Sequence, residues 1–268
     1  MNRALRIGRR LLAAAPLLLS AHTPALRVSA PAQIGSISFI SSSYGWAALS
    51  GSSRATDLLQ TANAGRTWRH TTVPAEDLQI RFFDAEQGWA TGMEPVGCVD
   101  TAQADRCDGV ILRTFDGGRD WSVVRRTRGV EYRALDYVQG GNTAWFEALS
   151  RSCAPSCPIV GTSDGGKMWQ VETSFPAGAA SLDFVNSAVG WASVTHCGVD
   201  RRTARTVVFA THDGGKTWRT SLTVPHHCGA GISFVNSRDG WVLVDEAFDD
   251  CAMGGCEGYV LERTTDGG

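Results

Sequence analysis

Thr211-His212-Asp213-Gly214-Gly215-Lys216-Thr217-Trp218 decides how the rest of the chain is read, because near-copies of it recur along the sequence. Earlier copies are Thr162 to Trp169 (TSDGGKMW), Thr114 to Trp121 (TFDGGRDW) and Thr61 to Trp68 (TANAGRTW), and a fifth begins at Thr264-Thr265-Asp266-Gly267-Gly268. The acidic or amide position falls at Asn63, Asp116, Asp164, Asp213 and Asp266, at intervals of 53, 48, 49 and 53 residues. A period of that length marks a repeat architecture in which each copy is one supersecondary unit.

Locally the octet reads as a tight turn between two strands. Asp or Asn followed by Gly supplies the positive-φ backbone of a short hairpin, and the carboxylate accepts hydrogen bonds from N–H groups of its own turn. The motif tryptophans, Trp68, Trp121, Trp169 and Trp218, open the outgoing strand and bring a large ring to bury. The acidic positions are therefore expected to be structural, not catalytic or metal-binding.

A second motif keeps time with the first. Upstream of each turn lies an alternating apolar segment followed by a Gly-Trp or similar pair: Ile37-Ser38-Phe39 with Gly45-Trp46, Ile80-Arg81-Phe82 with Gly88-Trp89, Leu135-Asp136-Tyr137 with Trp145, Leu182-Asp183-Phe184 with Gly190-Trp191, and Ile232-Ser233-Phe234 with Gly240-Trp241. Period-2 alternation over short runs with turn signals between them is a strand signature, and the chain beyond its leader has no helical stripe. Each period thus supplies four short strands: the Ile-x-Phe segment, the Gly-Trp segment, the run into the Asp turn, and the run out of it. Four strands per repeat of this length is the blade of a β-propeller. An all-β propeller with five visible repeats is expected, with blades at approximately 35–79, 80–134, 135–181, 182–231 and 232–268.

The Ser/Thr-x-Asp-x-Gly-x-Thr-Trp pattern resembles the Asp-box of BNR-repeat proteins. Its pairing with the Ile-x-Phe and Gly-Trp segments is similar to the photosystem II stability/assembly factor branch of the sialidase/sortilin-type Asp-box superfamily. The resemblance covers about residues 35 to 268 and implies the propeller fold. For function it implies two classes, because Asp-boxes occur in binding and assembly propellers and also in sialidases and xyloglucan-degrading glycosidases.

At the start of the chain, Arg3, Arg6, Arg9 and Arg10 precede an apolar run from Leu11 to Leu19, followed by small and turn-forming residues. Residues 1–25 read as a secretory signal, placing the protein outside the cell or in the periplasm. The run is shorter than the ~20 apolar residues that span a bilayer. Residues 26–34 align with the fourth strands of other repeats, Pro31 standing where Pro74 stands in the first. Within a 26–268 propeller domain two expectations stand: a five-bladed ring in which residues 26–34 serve as the closing strand, or a C-terminally truncated piece of a larger propeller.

A net charge of −2 leaves no electrostatic footprint for nucleic acid. No P-loop, dinucleotide fingerprint, His-Glu-x-x-His helix or nucleophile elbow is present, so no cofactor is expected.

The eight cysteines pattern with the repeats. Cys98 and Cys107, Cys153 and Cys157, and Cys251 and Cys256 each bracket the loop between the second and third strand of a blade. Cys197 occupies the same loop of the fourth blade, and Cys228 lies in the link to the fifth, which emerges on the same face. An even count in an exported chain argues for disulfides 98–107, 153–157, 197–228 and 251–256. The competing reading is a metal site formed by His196, Cys197, His226, His227 and Cys228.

Asp-turns and cysteine loops fall on opposite faces of such a blade. The cysteine-loop face carries the longer and more varied loops and is the expected binding face for a protein or glycan. Arginines 125, 126, 128, 133, 201, 202 and 205 and acids 245, 246, 249, 250 and 257 lie on or near it. The expected function is a non-enzymatic binding, assembly or scaffold module, monomeric if the ring closes. The alternative is a glycosidase. A sialidase-like site needs an arginine cluster, a tyrosine nucleophile partnered by a glutamate, and an aspartic acid as proton donor. Glu131-Tyr132-Arg133, in the link between the second and third blades, is the triplet with that flavour, although the Arg-Ile-Pro element of sialidases is missing.

Overall fold

A computed structural model describes residues 33–50, 55–94, 107–138, 140–150, 156–176, 181–196, 204–225, 228–245 and 259–268. These residues form nineteen strands and no helix. The first sheet contains β1 (Gln33–Phe39), β2 (Gly45–Ser50), β3 (Thr56–Thr61) and β4 (Arg69–Val73); the second contains β5 (Glu76–Phe82), β6 (Gly88–Glu94), β7 (Asp108–Thr114) and β8 (Ser122–Arg128). The third contains β9 (Glu131–Tyr137), β10 (Ala144–Leu149), β11 (Ser156–Thr162) and β12 (Gln170–Pro176), and the fourth β13 (Ser181–Phe184), β14 (Gly190–His196), β15 (Arg205–Thr211) and β16 (Arg219–Pro225). The last sheet holds β17 (Cys228–Phe234), β18 (Gly240–Asp245) and β19 (Tyr259–Thr264). Each is an antiparallel meander in chain order, and first strands of consecutive sheets lie side by side. This is the β-propeller blade expected from the repeat.

The same register recurs because the same residues occupy it. Phe39, Gly45 and Thr61 stand opposite one another across the first three strands, as do Phe82, Gly88 and Thr114, then Phe184, Gly190 and Thr211, then Phe234, Gly240 and Thr264. The glycine is required there by space. A Cβ on Gly190 would stand 2.3 Å from the Phe184 ring, and on Gly240 2.2 Å from that of Phe234. The phenylalanine therefore lies across its own strand-two glycine. Its other face lies on the Gly-Trp tryptophan of the preceding blade: Phe82 on Trp46, Phe184 on Trp145 and Phe234 on Trp191, with centroids 3.7, 3.5 and 3.6 Å apart and planes within 4° of parallel.

The third blade has Ala144 where the others have glycine and Tyr137 where they have phenylalanine. The alanine methyl occupies the space over which the ring would lie. Tyr137 instead packs against Phe83, its hydroxyl donating to the Phe82 carbonyl at 3.1 Å. The face of Trp89 is covered by the buried Arg113 guanidinium, 4.6 Å from the ring.

The repeated octet forms a wider loop than a two-residue hairpin, with its tryptophan just before the outgoing strand. Thr211 Oγ1 donates to Asp213 Oδ1 and accepts from Gly215 N–H, while Asp213 accepts from the N–H and the hydroxyl of Thr217. Both glycines take positive φ, 78° at Gly214 and 98° at Gly215, so two consecutive residues need the conformation that glycine adopts without penalty. The first glycine joins two blades. Gly214 N–H donates to Ala188 O within its own blade, and Gly214 O accepts from Trp145 Nε1 of the preceding blade at 2.9 Å. Gly117 and Gly267 receive Trp46 and Trp191 in the same way.

The core therefore lies between blades, in clusters that pair the second and third strands of one with the first strand of the next. Two expectations change. Gln33 and Ile34 belong to β1, paired with Ser50 and Leu49, and do not sit in a fourth strand of the last sheet. Glu131-Tyr132-Arg133 lies in β9 and not in a link, because β9, like β1, β5 and β17, starts four residues before its Ile-x-Phe segment. Residues 1–32, with the signal-like leader and all of the expected closing strand but Gln33 and Ile34, lie outside the described residues.

Candidate functional site

The middle residue of three Ile-x-Phe segments reaches the next blade. Ser38 Oγ accepts from Phe82 N–H at 2.9 Å, Asp136 Oδ2 from Phe184 N–H at 2.5 Å, and Asp183 Oδ2 from Phe234 N–H. An arginine at the second position, Arg81, breaks this series, since it has no acceptor to offer. The result is a cluster of two carboxyls and one guanidinium along the first strands, beside a cavity of about 330 Å³ lined by Ser36, Gln79, Arg81, Ala134, Leu135 and Leu182, among others. The cavity adjoins the middle of those strands, at Gly35, Ser36 and Ile37 in β1, Gln79, Ile80 and Arg81 in β5, and Ala134 and Leu135 in β9.

The electrostatics are those of acids held out of water. Burial pushes the Asp136 carboxyl up to about 7; the Phe184 N–H opposes the rise, Asp183 adds to it, and Arg81 counters it. Asp183 is raised for the same leading reason, with the Phe234 N–H and Arg81 opposing. Arg81 lines the cavity, whereas Asp136 and Asp183 stand next to residues that line it and are not themselves in its wall.

The other sequence-selected residues fall elsewhere. Tyr132 is 2% exposed, packed in the core with Trp89 and Phe146; its hydroxyl accepts from Arg125 Nε at 2.8 Å and is hydrogen-bonded to Thr127 Oγ1 at 2.7 Å. Glu131 and Arg133 pair with each other, Arg133 Nε lying 2.5 Å from Glu131 Oε1. The triplet is not gathered around a cavity, and the tyrosine is sealed from any substrate. The Asp-box acids are engaged in their own loops: Asp116, Asp164 and Asp213 each accept backbone N–H groups, and the Thr217 hydroxyl and N–H hold Asp213 down at about 2. Asn63 and Asp266 occupy the corresponding loops.

Cys107 and Cys157 are buried and disulfide-bonded. Cys98, Cys153, Cys197, Cys251 and Cys256 lie outside the described residues, as do His226, His227 and the side chain of Cys228, so the pairing scheme and the metal alternative fall there too. Of that alternative set, the His196 imidazole is described; burial and then Arg205 push its pKa down. Among the described residues no group of three or more metal-ligating side chains converges. The charged loops at 201–203 and 246–250 are likewise outside.

Sequence reasoning quoted Asp136 and Asp183 but treated them as the polar half of an alternation. The signal was present, since three of the five middle positions are charged. A second feature that it missed is on the Asp-box side. Gly161 stands opposite Trp145, where Arg113 stands opposite Trp89, and the space it leaves becomes a cavity of about 240 Å³ with Glu172 and Lys216 in its wall.

No protein-family profile matches the chain, and no curated protein does. Solved structures do. The GH74 xyloglucanase from Xanthomonas campestris superposes with a TM-score of 0.59 at 10% identity over 88% of this chain and 37% of its own length. A protein of unknown function from Dyadobacter fermentans gives 0.55 at 10% identity over 86% of this chain and 75% of that one. The subtype N11 neuraminidase-like protein of A/flat-faced bat/Peru/033/2010 (H18N11) gives 0.52 at 9% identity over 87% and 72%. The fold is thus a sialidase-like β-propeller. The chain spans little more than a third of the xyloglucanase, and identities this low speak to fold alone.

Proposed function

We propose that this chain is an exported, non-enzymatic β-propeller that binds a protein or glycan at its cysteine-loop face, where the longer and more varied loops stand. The observation that carries the reading is the burial of Tyr132, with its hydroxyl engaged by Arg125 and Thr127. The chemistry-bearing residues that are described serve mainly to join blades or close turns. Arg81, beside the axial cavity, is the cation best placed to meet a partner's carboxylate or hydroxyls.

A second reading rests on a specific observation. Asp136, with its carboxyl near neutrality beside Asp183, has the form of an acid paired with a second carboxyl, the combination that glycoside hydrolysis uses. The two readings separate in one assay. The purified chain, incubated with an aryl sialoside and with xyloglucan oligosaccharides, should release no product. Turnover that disappears in Asp136→Asn would establish the glycosidase instead.

A further inference from the structure

The joints between blades differ in what fills the space at their Asp-box end, and the third-strand residue opposite the Gly-Trp tryptophan decides it. Gln60 stands opposite Trp46, Arg113 opposite Trp89 and Gly161 opposite Trp145. At the first two joints that side chain reaches the next blade. A Cβ on Gly117 would stand 3.0 Å from Gln60 Nε2, and one on Gly165 2.5 Å from Arg113 Nη1. Arg113 Nη2 donates there to Asn142 Oδ1 at 3.3 Å, with its guanidinium over the Trp89 ring. At the joint between the third and fourth blades, a Cβ on the equivalent Gly214 would meet only the Ser187 backbone within 4 Å among the described residues. Gly161 has no side chain to send across, and the cavity of about 240 Å³ lies in the space.

The fourth strand changes in the opposite sense. Thr71 and Val124 lie beside the second glycine of the following loop, Thr71 donating to the Gly118 carbonyl and Val124 packing at Gly166. Glu172 takes that position beside Gly215, and its carboxylate leans into the space that a third-strand side chain would enter. A Cβ on Gly161 would stand 2.7 Å from Glu172 Oε1. Burial raises the pKa of this carboxyl, against the pull of Lys216 and with a further push from Asp213. Among the described residues no hydrogen bond or ion pair reaches it. The second joint thus buries a cation carried by the chain, and the third combines a cavity with a carboxylate.

We propose that the cavity between the third and fourth blades binds a small molecule carrying a guanidinium group, which enters the space that Arg113 fills one joint earlier and donates to the Glu172 carboxylate. A planar guanidinium presents two parallel N–H donors that match a carboxylate. The wall supplies the rest. Trp145 and Met168 offer apolar surface for an alkyl tail, and Thr143 stands where Gln87, one joint earlier, accepts from Arg113 Nη2. Two carboxylates, Glu172 and Asp213, face one ammonium, Lys216, so the balance of charge favours a cation. Lys216 is exposed and can turn into water when the ligand arrives. The site lies at the opposite end of the blades from the cysteine loops, so the inference goes beyond the proposed function and holds whether or not the axial site catalyses anything.

Isothermal titration calorimetry of the full chain with methylguanidinium chloride at low salt tests it, with methylurea as the neutral isostere. Methylguanidinium should bind at one saturable site, and methylurea should give no saturable heat over the same range. Glu172→Gln keeps the shape and removes the charge, and should weaken methylguanidinium binding by about tenfold or more, the worth of a charge-assisted hydrogen bond. Lys216→Gln should tighten binding, because the competing ammonium is gone. Gly161→Gln restores the kind of side chain that Gln60 sends across the first joint, and should abolish binding. Lack of saturable binding to the unaltered chain would overturn the inference, as would equal affinity for methylurea or unchanged affinity in Glu172→Gln. If Gly161→Gln does not fold, Glu172→Gln, at a partly exposed position, carries the test.

Discussion

Phe184 lies flat on Trp145, the two ring centroids 3.5 Å apart and the planes 4° from parallel. The tryptophan belongs to the third blade and the phenylalanine to the fourth, so the contact measures how blades adhere. Three interactions converge on it: the ring stack, the bond from Trp145 Nε1 to Gly214 O at 2.9 Å, and the bond from Phe184 N–H to Asp136. Gly190 supports the far face of the phenylalanine.

Replacing the tryptophan separates the ring from the hydrogen bond. Trp145→Ala should destabilise the fold by about 3–5 kcal/mol, since it removes a buried aromatic and leaves a cavity. Trp145→Phe keeps an aromatic face and loses the donor, leaving the Gly214 carbonyl without its partner at a cost of about 1–3 kcal/mol. Urea denaturation of the two variants reads the order directly. Equal losses would mean that the ring contributes nothing beyond its bond, whereas no loss in Trp145→Phe would mean that the bond to Gly214 contributes nothing.

The third blade predicts what happens when the supporting glycine is lost. Ala144 is accompanied there by a displaced Tyr137 and by Arg113 over the tryptophan face. Gly190→Ala introduces the methyl without those compensations, and should force Phe184 off Trp145 at about 1–3 kcal/mol, the usual range for overpacking. Near-ultraviolet circular dichroism should change with it, because the stacked pair is asymmetric and rigid. An unchanged spectrum and an unchanged midpoint would show that the ring has room to move aside.

Much of the blade was legible in the sequence because its determinants are local. Glycine at positive φ, a carboxylate satisfied within its own turn and alternating apolar residues all act over a few positions, and the strands formed where those signals stood. What joins blades was not legible. Phe184 and Trp145 were both noted, yet nothing in a period-2 pattern says that one stacks on the other in the previous repeat. The misplacement of Tyr132 has a related cause. Its strand begins with Glu131 and Arg133, residues without apolar alternation, and forms because β10 pairs with it. Asp136 likewise reads as a surface residue until the next blade covers it.

Burial of Asp136 sets a pH dependence whose sign can be worked out. An unfolded aspartate titrates near 3.9, whereas the folded group is pushed up to about 7, first by burial and then by Asp183 against the pull of the Phe184 N–H and Arg81. Between those values the folded protein keeps a proton that the unfolded chain has released. The contribution of this group is therefore full below about pH 4 and is lost as the pH rises through 7, an effect on the order of a few kcal/mol. Asp183, raised by its own burial, adds in the same direction; Tyr137, also raised, titrates above this window. Asp136→Asn keeps a carbonyl oxygen for the Phe184 N–H and has no proton to lose. Denaturation midpoints measured between about pH 5 and about pH 8 should fall for the unaltered protein and fall less steeply for the variant. Parallel pH profiles for the two proteins would show that Asp136 ionises freely at the axis.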